Sequence, residues 1–90
     1  MNVFMDKQTL ILKTQIELST HRVKVLKSFD AVNRIRPTQI SELTGIHINN
    51  VSKSLGQLRK MGLVKMVGSK GRARYYKLTD DGKYMLDFLD

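Results

Sequence analysis

Three helix-interrupting residues partition the middle of this chain. Pro37 is its only proline, and Gly45 and Gly62 follow it. Proline can open a helix, because the first helical N–H has no intrahelical partner to lose. Glycine can close one, because it takes the left-handed conformation without a Cβ penalty. The punctuation predicts a short helix over about 38–44 and a longer one over about 48–61, joined by a tight turn. Ile40 and Leu43 give the short helix its apolar face, and Ile46 is an apolar plug in the turn. On a wheel of about 100° per residue, Leu55 and Leu58 lie within about 40° of Val51. Asn49, Lys53, Gly56 and Lys60 fall on the opposite face, and Ser52 and Gln57 flank it.

The flanking segments are readable with less force. Residues 1–18 are ambiguous: Leu10, Leu12, Ile16 and Leu18 alternate as on a strand, whereas Phe4, Ile11 and Leu18 recur as on a helix. A helix over about 7–17 capped by Asp6 is the favoured reading. Ser19 or Thr20 can cap a second helix, in which Val25, Leu26 and Phe29 follow an i, i+1, i+4 pattern. Ile35-Arg36 is extended, because the residue before a proline is pushed out of the α region. Beyond Gly62, residues 63–67 and 74–78 read as two strands of a hairpin with a basic tip. Thr79 caps a last helix, with Asp80 and Asp81 in its first turn and Tyr84, Met85, Phe88 and Leu89 on its apolar side. The expected fold is mostly α with a small β-hairpin, an α+β class, in one domain spanning residues 1–90.

Charge points to the partner. Sixteen Lys and Arg against eight Asp and Glu give a net charge of +8. The excess is concentrated: residues 43–79 carry eight basic side chains and no acidic one. Ordinary solvated surfaces mix signs, so a carboxylate-free stretch of this length reads as a polyanion-binding block, with nucleic acid the first partner. No apolar run exceeds three residues, which argues against a membrane span or a secretory signal. Cysteine is absent, which removes disulfides and thiolate chemistry. An intracellular, cytoplasmic protein associated with the nucleoid is expected.

A short helix, a glycine turn and a longer helix make the helix-turn-helix unit, and here a hairpin follows it. Three segments resemble winged helix-turn-helix repressors. Pro37-Thr38-Gln39-Ile40-Ser41-Glu42-Leu43-Thr44-Gly45-Ile46 is similar to their opening. The run from Val51 to Val64 resembles their V-S-x-x-L-x-x-L-x-x-x-G-L-V signature, and the run from Arg72 to Gly82 resembles their wing and exit. The resemblance covers residues 20–84 and is closest to small archaeal and bacterial regulators of the ArsR/MarR type. It implies a winged-helix fold and a transcriptional regulator of double-stranded DNA, and it carries base contact onto Asn49, Ser52 and Lys53. His47 departs from the pattern, since that position commonly holds a small capping residue.

Asn and Gln can bond adenine, Lys can reach guanine, and Ser suits base or phosphate. Ile48, Asn49, Asn50, Ser52, Lys53 and Gln57 are therefore the candidate base-contacting residues. Ile48 serves equally well as a thymine-methyl contact or a helix staple, and the asparagines could instead cap the helix. Thr38, Lys60, Lys70, Arg72 and Arg74 are candidates for the DNA backbone or minor groove. The basic hairpin tip could alternatively be an edge blunted by charge against aggregation. The terminal apolar segments, residues 3–18 and 84–89, exceed what a small core needs and suggest a homodimer.

Two scattered histidines, His21 and His47, make a metal site improbable, and neither a metal nor a cofactor is expected. The paired Asp80-Asp81 suits capping better than catalysis, so an enzyme is not expected. Two readings compete with sequence-specific regulation: an architectural DNA-binding protein without sequence choice, and a protein-interaction module of a transcription complex.

Overall fold

The computed structural model describes residues 6–30, 32–68 and 74–89. Five helices and a small sheet follow one another: α1 (Lys7–Glu17), α2 (Thr20–Lys27), α3 (Pro37–Thr44), α4 (Ile48–Lys60), β1 (Val64–Val67), β2 (Tyr75–Leu78) and α5 (Asp80–Leu86). Each α-helical start has a local cause. Asp6 accepts from the Thr9 N–H at 2.7 Å and caps α1. That N–H first, and the Thr9 side chain second, hold the Asp6 carboxyl below its ordinary value. The cap is therefore weakened as pH falls through the lowered value. Ser19 accepts from the Arg22 N–H and caps α2. α3 begins with Pro37, and the Gln39 side chain reaches back to the Arg36 N–H at 2.9 Å.

The turn between α3 and α4 is closed by polar side chains. Gly45 adopts φ 74°, and its N–H bonds to the Ser41 carbonyl at 2.9 Å. The Ser41 hydroxyl donates to the Ile46 carbonyl at 2.6 Å, and the Thr44 hydroxyl accepts from the Ile46 N–H at 3.2 Å. Both backbone groups of Ile46 are thus satisfied within the turn, so its side chain can enter the core at 7% exposure. At the far end of α4, Gly62 has φ 77°, and the Leu63 N–H bonds to the Leu58 carbonyl.

The core gathers Ile16, Val25, Leu26, Phe29, Ile35, Ile40, Ile46, Val51, Leu55, Leu58, Leu63, Val64, Leu78 and Met85. Every helix contributes to it, and α1 supplies only Ile16. Leu43 does not follow expectation: it is 67% exposed. Pro37, Ser41 and Thr44 are half-buried beside Ile40. The inward strip of α3 is therefore rotated toward the turn, leaving Leu43 about 110° from its centre.

β1 and β2 pair antiparallel, with Val64 opposite Leu78, Lys65 opposite Lys77, Met66 opposite Tyr76 and Val67 opposite Tyr75. Ile35 bridges Tyr76 through two backbone bonds, at 2.9 and 2.8 Å, and lines the other edge of β2. The extended piece before Pro37 thus becomes a minimal third strand. The hairpin tip, residues 69–73, lies outside the described residues. Thr79 ties the hairpin exit to the end of α4: its hydroxyl donates to the Gly62 carbonyl at 2.6 Å and accepts from the Gly82 N–H at 3.0 Å. α5 ends at Leu86, so Phe88 and Leu89 lie past it; Leu89 packs against the core.

Gly82 and Gly56 should respond oppositely to alanine. A Cβ on Gly82 would fall on the Leu63 carbonyl oxygen, whereas one on Gly56 meets nothing within 4 Å. Gly82→Ala should cost about 3 kcal/mol by overpacking. Gly56→Ala should stabilise by up to about 1 kcal/mol through helix propensity. Urea denaturation of the two variants checks both signs.

Candidate nucleic-acid interface

α4 divides cleanly. Val51, Ser54, Leu55 and Leu58 are buried, while Asn49, Asn50, Ser52, Lys53, Gly56, Arg59 and Lys60 are exposed. The sequence pattern found the buried stripe except for Ser54, whose short side chain sits at 3% exposure. His47, the residue that departs from the family pattern, is the N-cap: its Nδ1 accepts from the Asn49 N–H at 3.2 Å. Capping therefore does not occupy the asparagine side chains. Among the described residues, no hydrogen bond engages the side chains of Asn49, Asn50, Ser52 or Lys53, which leaves their polar groups available to a ligand.

Ile48 is half-buried and packs against the core. It also lines an open groove of about 550 Å³ beside the first turns of α4. Arg36 and Thr38 wall this groove at the start of α3, Ser52 lies along α4, and Arg74 and Tyr76 stand on the hairpin side. Exposed Thr38 and Arg74 thus face the same cleft as the start of α4, although they lie far apart in sequence. Lys60 is exposed at the opposite end of α4, outside the groove lining. Lys70 and Arg72, the two other wing candidates, lie outside the described residues.

Gln57 departs from its expected place. Its side-chain oxygen accepts from an Arg22 terminal nitrogen at 2.9 Å. The rest of that guanidinium donates to the Gln15 carbonyl, from Nε at 3.1 Å and from the second terminal nitrogen at 2.7 Å. One Arg22 side chain therefore joins the C-terminal turn of α1 to the last turn of α4. Gln57 and Arg22 are far apart in sequence, so no local pattern could have revealed the pair.

The electrostatics are one-sided. Among the described residues the single ion pair is Lys13–Glu17 on α1, at 2.8 Å. Lys53, Lys60, Arg36 and Arg74 carry no carboxylate partner there. Arg36, which sequence reasoning missed, adds a cation to the groove wall, and its position just before Pro37 was the available signal. No group of three His, Cys, Asp or Glu able to hold a metal occurs among the described residues. Among the described residues no helix is long and apolar enough to cross a membrane.

The chain matches the family model of the winged helix DNA-binding domain over residues 31–82, more than half its length. No curated protein matches it in sequence. Among solved structures it resembles a MarR mutant from E. coli complexed with operator DNA, at 19% identity and a TM-score of 0.74, over 93% of this chain and 61% of that one. It also resembles a MarR-family transcriptional regulator from Silicibacter pomeroyi, at 22% identity and a TM-score of 0.77, over 91% of this chain and 56% of that one. TubR of Bacillus thuringiensis serovar israelensis, bound to 24 bp of tubC, is similar at 17% identity and a TM-score of 0.79, over 94% of this chain and 95% of that one. The chain spans about three fifths of the length of the MarR-type structures but nearly all of TubR. Helix-turn-helix, bridging strand, hairpin and matched segment coincide, and the chain belongs to the winged helix DNA-binding domain family.

Proposed function

We propose that this chain is a sequence-specific regulator of double-stranded DNA, with α4 in the major groove and the wing on the minor groove or backbone. The observation that carries this reading is the exposed, carboxylate-free start of α4, where Asn49, Asn50, Ser52 and Lys53 stand beside a groove flanked by Arg36 and Arg74. Side chains at the N-terminal turns of such a helix meet base edges, while cations to either side grip phosphate. Ile48, half-buried, offers a methyl-sized contact to thymine. Thr38, Lys60 and the wing cations Lys70, Arg72 and Arg74 serve the backbone or minor groove. Gln57, held by Arg22, positions α4 rather than reading bases.

Selection of preferred sites from a random duplex library supplies the test DNA. Lys53→Ala or Asn49→Ala should cost roughly 1–3 kcal/mol on the selected site and little on random duplex. Arg74→Ala should weaken both duplexes similarly and make the log–log salt slope shallower by about 1 per protomer. Equal losses on both duplexes from Lys53→Ala and Asn49→Ala would instead favour an architectural protein.

Gln57→Ala should lower stability by about 1 kcal/mol and leave base preference intact. A cycle with Arg22→Ala should then yield a coupling of about 0.5–3 kcal/mol in thermal or urea unfolding. A loss of preference at one base position without loss of stability would return Gln57 to the reading face.

A homodimer completes the proposal. Leu10, Ile11 and Leu18 on or beside α1 and Tyr84 on α5 are exposed at 53, 46, 76 and 50%. Burying these apolar side chains against a second copy would remove them from water and place two reading helices on one duplex. Light scattering should give about twice the 10.3 kDa chain mass. Leu10→Lys with Leu18→Glu should shift the protein toward monomer, and a monomeric parent chain at high micromolar concentration would refute the arrangement.

The near-complete coverage of TubR favours a second reading, a DNA-binding component of plasmid segregation, since a further similar structure is that of a type III plasmid segregation TubR. Genomic footprinting separates the two: single sites at promoters support the regulator, and a clustered array on a replicon supports segregation.

A further inference from the structure

The sheet has two faces of opposite character. Val64 and Leu78 form a buried cross-strand pair, so alternation sends Lys65 and its partner Lys77 to the other face. The Ile35–Tyr76 bridge is antiparallel, which sets Arg34 beside Lys77 and Arg36 beside Tyr75. Three cations, Arg34, Lys77 and Lys65, therefore stand in one row across three strands, spanning about 10 Å. Like charges directly opposite one another destabilise a sheet. Among the described residues no carboxylate reaches ion-pair distance of this row. Glu42 shares a surface groove with Arg34, and Asp30 and Asp87 line a cleft with Lys77, yet neither neighbourhood forms an ion pair.

The next row is built to hold a guanidinium still. The Arg34 guanidinium carbon lies 4.9 Å from the Tyr75 ring centre, and that of Arg36 lies 6.0 Å from it. Stacking on a ring restricts an arginine while leaving its fork of donors free for anionic oxygens. Arg36 belongs to both surfaces: it walls the groove beside α4 and faces the Tyr75 ring. The basic surface is thus continuous from the groove, around the edge of the sheet, to its outward face.

We propose that the outward face of the sheet, Arg34, Lys65 and Lys77 with Arg36 and Tyr75, is a second phosphate-binding surface that grips the flank of the same DNA duplex read by α4. This rests on the DNA-binding reading above and extends it to DNA beyond the bases that α4 and the wing reach. The continuity through Arg36 favours the same duplex over a separate one. The flanking contact is sequence-independent, since it is made to phosphate alone.

The test compares two duplexes carrying the selected site, one ending just past the wing and one longer by about ten base pairs, roughly one helical turn, on each side. The parent chain should bind the longer duplex at least tenfold more tightly at low salt, with a log–log salt slope steeper by about 2–3 per protomer. The triple variant Arg34→Ala, Lys65→Ala, Lys77→Ala should bind the short duplex as the parent does and lose the gain from length. Arg34→Lys alone should retain part of the gain. Thermal denaturation establishes that the triple variant is folded, and relief of the like-charge row should leave it no less stable than the parent. A parent chain indifferent to length, or a triple variant that keeps the gain, overturns the proposal. Joining of two short duplexes by the parent, seen as doubled DNA mass in light scattering, overturns it in favour of bridging. Failure to bind even the short duplex overturns the underlying DNA-binding reading as well.

Discussion

The polar closure around Ile46 is the constraint on which the interface depends. Ser41 and Thr44 satisfy the carbonyl and the N–H of Ile46, and Gly45 supplies the left-handed residue between them. Without those bonds, burial of the Ile46 side chain would drag unpaired backbone groups toward the core. With them, the turn admits one geometry and the angle between α3 and α4 is set. The arrangement of Thr38, Arg36 and the start of α4 around one groove follows from that angle. The positions of the candidate phosphate and base contacts are thereby linked before any DNA arrives.

Two other junctions hold α4 from outside the turn. Thr79 grips the carbonyl of Gly62 just past its end, and Arg22 binds Gln57 in its last turn while donating to the Gln15 carbonyl near the end of α1. The cation at the last turn of α1 also lies favourably against that helix's dipole. α4 is therefore anchored before its start, in its last turn and just past its end by three separate polar contacts, in addition to the stripe of Val51, Leu55 and Leu58. Such anchoring leaves its exposed side free of structural duty. A helix fixed by its inward side can present Asn49, Ser52 and Lys53 without ordering cost at the backbone when a ligand binds.

Much of this was legible in the sequence because its signals are local. Pro37, Gly45 and Gly62 act on their own φ angles, Asp6, Ser19 and Thr79 cap within three residues, and the stripe on α4 recurs every turn. The hairpin was legible for the same reason, from two apolar runs around a glycine-rich turn. What was not legible depends on contacts that no periodic pattern encodes, most of them between residues distant in sequence. Leu43 looks like a core residue beside Ile40 until the turn chemistry rotates the inward strip of α3 toward Thr44. Gln57 flanks the exposed side of α4 in the sequence pattern, which gives no sign of its bond to Arg22. The basic row on the sheet requires Ile35 to find Tyr76, a pairing that only the tertiary fold creates.

The carboxylate-free block from Leu43 to Thr79 has a consequence for the unbound molecule. Its cations repel one another on a small body, most directly where Lys65 faces Lys77, and few internal anions offset them. Mobile anions screen that repulsion, so salt steadies the fold while it loosens the grip on a polyanion. The two responses to ionic strength run in opposite directions. A polyanion that binds the folded form supplies the missing counter-charge, and the native state is drawn toward it by mass action. A nucleic acid bound as proposed would then be a thermodynamic component of this fold as well as a ligand.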